Sequence, residues 1–169
     1  MQKNQYITPS RWRRFACMVY DGMLLFGLVF IAGLLFDVLT DSRHALQLRA
    51  WRQLFLFVLI SLYFLSAWLK GGQTLAMKTW HIRLQPIWSG PLSLRRALLR
   101  YVLMWVFPLL TALIIEIAAK YTGQPGLSIL IVFAPFSNFI YTWLDPDKQF
   151  MHDRLCATRL VSSKPSPDK

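Results

Sequence analysis

The chain has 169 residues, of which 55% are hydrophobic and 15% aromatic, yet it carries 19 Lys and Arg against 8 Asp and Glu, a formal charge of +11. A soluble domain is usually about 45–50% apolar, and a basic soluble nucleic-acid-binding protein would not gather its apolar residues into four spanning-length blocks, so that class is excluded. Cys17 in the first block and Cys156 in the polar tail occupy different surroundings and imply no disulfide framework.

Residues 1–10 read as a polar N-terminal tail. The first apolar run, 15–36, exceeds the roughly 20 residues needed to cross a hydrocarbon core about 30 Å thick, and it holds one acid, Asp21. It is too long for a signal-peptide core and no small-residue cleavage site follows it, so no cleavable signal is expected. The second run, 54–69, is shorter but extends through Trp51 and Arg52 if Arg52 snorkels. The third, 98–119, has Arg100 near one end and Glu116 near the other, where a surface carboxylate costs little. The fourth, 127–144, is interrupted by Pro135 and carries Ser137 and Asn138. Lipid offers no hydrogen bonds to an irregular backbone, so each run is expected to be helical.

Orientation follows from the basic residues. Fifteen of nineteen fall in three segments: the N-terminal stretch with Lys3, Arg11, Arg13 and Arg14, the middle loop with Lys70, Lys78, Arg83, Arg95, Arg96 and Arg100, and the tail with Lys148, Arg154, Arg159, Lys164 and Lys169. Only Arg43, Arg49, Arg52 and Lys120 fall on the other side. The bias predicts both termini and the 70–100 loop in the cytoplasm, with Trp12, Trp51, Trp68 and Trp143 near span ends as an aromatic belt.

In the middle loop, Trp80, Ile82 and Leu84 alternate with His81, Arg83 and Gln85, which predicts a short strand over 79–85 ended by Pro86. Ser89, Gly90 and Pro91 signal a turn, and Ser93 is placed to cap a basic helix leading into the third span. The tail repeats this loop: QTLAMKTWHIRL from Gln73 and QFMHDRLCATRL from Gln149 align at an offset of 76, matching Lys78 with Arg154, Arg83 with Arg159 and Leu84 with Leu160. A second strand is expected over 157–162, paired with the first. Arg13-Arg14-Phe15-Ala16 resembles Arg95-Arg96-Ala97 before a span. The fold class expected is an all-α membrane protein of four transmembrane helices with a small cytoplasmic strand element, built as a candidate tandem repeat of a two-helix unit in parallel orientation.

Four pieces, RRFACMVYD, GGQTLAMKTWHIRL, LSLRRALLRY and QFMHDRLCATRLV, stand in an order and spacing that resembles the RDD family of bacterial membrane proteins, named for one arginine and two aspartates. The resemblance covers 11–161, with 162–169 as a disordered tail, and departs from the family pattern at Ala76, where a glycine is expected. It makes Arg14, Asp21 and Asp153 the signature residues and implies a multi-pass protein of the bacterial inner membrane. It also implies transport of an unidentified ligand, with cation–proton exchange one version.

Asp21 lies about two turns inside the first helix, where a carboxylate costs roughly 2.5–3.5 kcal/mol to insert. It is expected to face the bundle, either as a proton- or cation-binding group or as a structural ion pair with Arg14 or Arg100. Asp153, beside His152 and Arg154, reads either as a cytoplasmic gate or a link to the basic loop, or as an exposed residue that caps or salt-bridges the juxtamembrane segment. His152 and Asp153 lack the number and spacing of a metal site. Ser137 and Asn138, beside the carbonyl freed by Pro135 in the fourth run, are candidates for a ligand pathway or for a simple helix kink, and Pro108 frees a carbonyl likewise in the third. No nucleophile–base constellation, phosphate loop or cofactor motif is present, so no enzymatic activity and no cofactor are expected. The functional expectation is transport of a cation or small solute by a homo-oligomer, since four helices are few to enclose a pathway. The alternative is a membrane-embedded scaffold whose basic face recruits protein or anionic lipid headgroups.

Overall fold

The computed structural model describes residues 7–40, 48–88 and 90–163. Lys3, Arg43, Lys164, Lys169 and the Ser89 of the expected turn lie outside the described residues. Among the described residues, four helical segments are long and apolar enough to cross a membrane: Arg11–Leu39, Arg49–Gly71, Leu94–Thr122 and Pro125–Leu144.

Helix α1 (Arg11–Leu39) starts at Ser10, whose side chain accepts from the Arg13 amide. Helix α2 (Arg49–Gly71) stops at Gly72, at φ 68. A methyl group at Gly72 would sit 2.6 Å from the Leu84 carbonyl oxygen, so both the conformation and the space demand glycine. After the short helix α3 (Leu75–Thr79) and strand β1 (Ile82–Pro86), the third span is two helices, α4 (Leu94–Leu103) and α5 (Val106–Thr122). The break falls at Met104 and Trp105 because Pro108 has no N–H to offer the Met104 carbonyl.

The fourth span is a 3-10 helix over Pro125–Ser137 followed by α6 (Asn138–Leu144). At about 2.0 Å per 3-10 residue and 1.5 Å per α residue, these 20 residues reach about 36 Å, close to the roughly 35 Å of the 23-residue α2. The tighter winding makes up for the missing residues. The chain closes with α7 (Met151–Leu155) and β2 (Thr158–Ser162).

β1 and β2 pair antiparallel, with Ile82 opposite Ser162, Leu84 opposite Leu160 and Pro86 opposite Thr158. The expected pairing is present, with later starts. Thr79 ends α3, and His81 and Ala157, both at φ 51, turn the chain into the strands. Pro86 is the last strand residue and not the terminator. β2 runs through Ser162, one residue into the expected tail, and the Ser162 amide donates to the Ile7 carbonyl at 2.8 Å. Both described ends of the chain therefore meet at the sheet end of the bundle.

The repeat is exact in the sheet layer. α3, the left-handed residue after it and β1 recur 76 positions later as α7, Ala157 and β2, boundary for boundary. Gly72 recurs as Lys148, at φ 56, and the start of α2 at Arg49 recurs at Pro125. The first spans of the two halves are both 29 residues long. The core lies where the sheet layer meets the spans, around Phe64, Trp68, Met77, Leu84, Tyr101 and Leu160. Farther along the spans, large apolar side chains such as Phe26, Leu34, Leu113 and Ile129 are exposed, as a helix in lipid requires.

Candidate functional site

A cavity of about 270 Å³ lies among the spans, walled by residues of all four and floored by the sheet layer through Thr74, Met77 and Leu160. Arg14, Asp21, Arg100 and Asn138 line it; Ser137 and Asp153 do not.

Asp21 has neither arginine as its direct partner. The Tyr63 hydroxyl donates to Oδ1 at 2.9 Å and the Thr74 hydroxyl to Oδ2 at 2.9 Å. Thr74, 1% exposed, also caps α3 by accepting from the Met77 amide. One hydroxyl thus ties the intramembrane acid of α1 to the short helix that leads into β1. The expectation of an Arg14 or Arg100 ion pair is corrected, because α2 and the loop after it bring hydroxyl donors closer than either guanidinium.

Arg14 is 1% exposed. Its Nη1 donates to the Lys148 carbonyl, and its guanidinium lies 5.2 Å from the centre of the Phe150 ring. Its Nε and Nη2 have no hydrogen-bond partner among the described residues.

Asp153 is not a surface charge. It is fully buried at the start of α7, and Arg100 Nε donates to its Oδ1 at 2.7 Å. Arg100 also stacks over Trp68, 4.2 Å from the ring centre. Burial alone would raise the Asp153 carboxyl, but the Arg100 charge, His152, the Arg100 hydrogen bond and Arg14 outweigh it and hold the group below the usual carboxylate range. His152, buried and stacked on Phe150, is pushed down to about 4, by burial first and by Arg100 second, against the pull of Asp153. It sits neutral at pH 7.

Asn138 Nδ2 donates to the Met104 carbonyl at 3.0 Å, and Ser137 Oγ turns back onto the Ala134 carbonyl at 2.6 Å. Of these two ligand-pathway candidates only Asn138 reaches the cavity. No group of three or more His, Cys, Asp or Glu side chains comes together to hold a metal among the described residues.

Sequence reasoning missed Tyr63, Thr74 and Asp145. Thr74 carried a signal, as a threonine before a short apolar helix reads as a cap. Asp145 is buried, accepts from the Gln149 amide at 2.9 Å and pairs with Arg154; its Asp145-Pro146 step is a turn signal. Nothing local marks Tyr63.

The RDD family model matches residues 8–157. No curated protein and no solved structure gives a match.

Proposed function

Because this chain belongs to the RDD family, we propose that it is a membrane carrier that moves a small solute through the cavity between its spans, with Asp21 binding the coupling proton or cation. The observation that carries this is the cavity itself. A walled space holding a carboxylate at membrane depth is expensive to maintain and is a default sign of a solute or proton path. The hydroxyl donors of Tyr63 and Thr74 suit such a group, since they stabilise a carboxylate without neutralising it as an arginine would. The proposal places the sheet end in the cytoplasm of a bacterial inner membrane, on the basic-residue bias. It takes the working unit to be a homo-oligomer with one cavity per chain.

The test is flux in proteoliposomes with purified protein. Asp21→Asn keeps one acceptor for Tyr63 or Thr74 and is expected to fold with near-normal yield while losing flux. Flux equal to the wild type overturns the role of Asp21, and no flux for any cation or proton gradient in the wild type overturns transport.

One observation favours the scaffold reading. Lys70, Lys78, Arg83, Arg95 and Arg96 are exposed together at the sheet end, and such clusters attract anionic lipid at about 1 kcal/mol per residue near the surface. Under that reading, changing these five to Gln abolishes partner or lipid recruitment and leaves flux untouched.

A further inference from the structure

The guanidinium of Arg14 is buried and carries a positive charge whose Nε and Nη2 donors point to no acceptor among the described residues. The two acids whose charges act on it, Asp153 and Asp145, are already engaged by Arg100 and Arg154. Nε and Nη2 form one edge of the guanidinium plane, the fork that matches the two oxygens of a carboxylate or phosphate. Burying such a fork empty costs far more than leaving it in water, unless something anionic completes it.

Arg14 lines a cavity that is largely hydrocarbon, and because Nε and Nη2 are themselves buried, the side chain must turn to bring this fork to a ligand there. Along α1 the cavity wall runs from Arg14 to Leu25, eleven residues or about 16 Å. Past the arginines the walls are mainly Met18, Ile60, Phe64, Met104 and Trp105, with Asp21, Thr74 and Asn138 the polar exceptions. Arg14 stands three residues into α1, at the sheet end, while Leu25 and Pro108 lie near the middle of their spans. The arginines thus stand at one end of the cavity and the rest is largely apolar, in the order in which a lipid presents headgroup and chain. Asp21 is about 10 Å along the axis from Arg14, with both oxygens occupied by hydroxyl donors.

We propose that Arg14 and the apolar cavity form a binding site for an anionic amphiphile, a carboxylate or phosphate group carried on a hydrocarbon chain. The inference rests on reading this cavity as the solute site and names the class of solute. Its rival is a water bridge from Arg14 to Asp153 Oδ2, which also lacks a partner among the described residues; that would make Arg14 purely structural.

The experiment uses the full chain purified in nonionic detergent. Intrinsic fluorescence, to which Trp68 and Trp105 in the cavity and five other tryptophans contribute, is titrated with a brominated long-chain fatty acid and separately with its uncharged methyl ester, and the saturable part is assigned to the cavity by its loss in the Trp68→Phe, Trp105→Phe protein. The acid is expected to quench saturably, and the ester to bind at least about tenfold more weakly, the ratio that loss of one charge-assisted hydrogen bond produces. Arg14→Gln is expected to bring the acid down to the level of the ester, and Arg14→Lys to keep part of the difference. Should Arg14→Gln fail to fold, the acid–ester comparison in the wild type still decides. Equal quenching by acid and ester overturns the proposal, as does an Arg14→Gln protein that binds the acid normally. Displacement of the acid by millimolar acetate or inorganic phosphate overturns the amphiphile and leaves a site for free anions. Displacement by phosphatidylglycerol but not phosphatidylcholine supports the proposal with a lipid as the source. Displacement by neither supports it with a single-chain acid, and displacement by both alike overturns it. Selective acid binding without flux would refute transport and leave this site standing. Cation flux without acid binding would do the reverse.

Discussion

Asn138 donates from Nδ2 to the Met104 carbonyl at 3.0 Å, and that carbonyl is the one Pro108, four residues on, leaves without a helical donor. The amide of the fourth span thus repairs the break in the third. This argues against an open carbonyl waiting for an ion. Asn138→Leu is expected to lower stability by roughly 1–2 kcal/mol, between the ~0.6 average of inter-helix bonds in membranes and the cost of an unpaired acceptor. In a Pro108→Ala background the restored N–H serves Met104, and the same change should cost much less. Equal costs in both backgrounds, measured by thermal unfolding in detergent, would refute the repair.

Arg100 and Asp153 form a buried pair 53 positions apart. Removing one partner strands a buried charge, at about 3–5 kcal/mol by the precedent of soluble cores. Asp153→Asn and Arg100→Gln should each cut folded yield sharply, and the double change should restore part of it. Combining Arg100→Gln with Asp21→Asn should give no rescue. Rescue there, or none with Asp153, would reassign the pair.

His152 supplies a pH dependence. Its imidazole is pushed down to about 4, mainly by burial, whereas an unfolded histidine titrates near about 6.5. Between those values the unfolded chain binds more protons than the folded one. Stability therefore rises with pH across the window and falls as pH drops from about 6.5 to about 4, by up to about 3 kcal/mol. Asp153, held below the usual carboxylate range, adds a loss only as pH falls below about 4. His152→Phe, which can still stack on Phe150, should flatten the unfolding curve over the upper window. An unchanged slope would show that another group is responsible.

Topology can be read by labelling, because Cys17 and Cys156 are both buried. Tyr121 and Lys78 are exposed at opposite ends of the bundle. A cysteine replacing Tyr121 should react with a membrane-impermeant maleimide on intact cells, and one replacing Lys78 only after permeabilisation. The reverse pattern would place the sheet outside.

The spans were legible because lipid imposes a length and a composition that any sequence must meet. The strand pairing was legible because Ile82 and Leu84 alternate locally and Leu160 repeats Leu84 at a fixed offset. The site was legible only in part. Arg14, Asp21, Arg100 and Asn138 stood out as polar groups in apolar runs, yet the partners of Asp21 sit 42 and 53 positions away and are uncharged hydroxyls, invisible to an argument that matches charge with charge. Asp153, flanked by His152 and Arg154, had the look of a solvated tail, and only the folding of α7 under the sheet buries it. The 3-10 winding of the fourth span has no periodicity signal, since its side chains are apolar all round.

The register of the two strands carries a consequence for mechanism. Leu84 and Leu160 are equivalent residues and face each other, while Ile82 meets the counterpart of Pro86, and Pro86 meets the counterpart of Ile82. That is a self-complementary contact, the kind a two-fold axis makes between identical subunits. Both halves enter their first span from the same end, so the axis runs along the bundle and not across it. Carriers with inverted repeats reach their second state when the halves exchange conformations, which turns an inward-open form into its outward-open mirror. This chain has no such exchange available: swapping the conformations of its halves returns an opening on the same side. For the carrier proposed above, a change of access would then come from the halves rocking against each other about the strand pair, as in parallel-repeat carriers, with the Leu84–Leu160 pair lying on the axis that relates them.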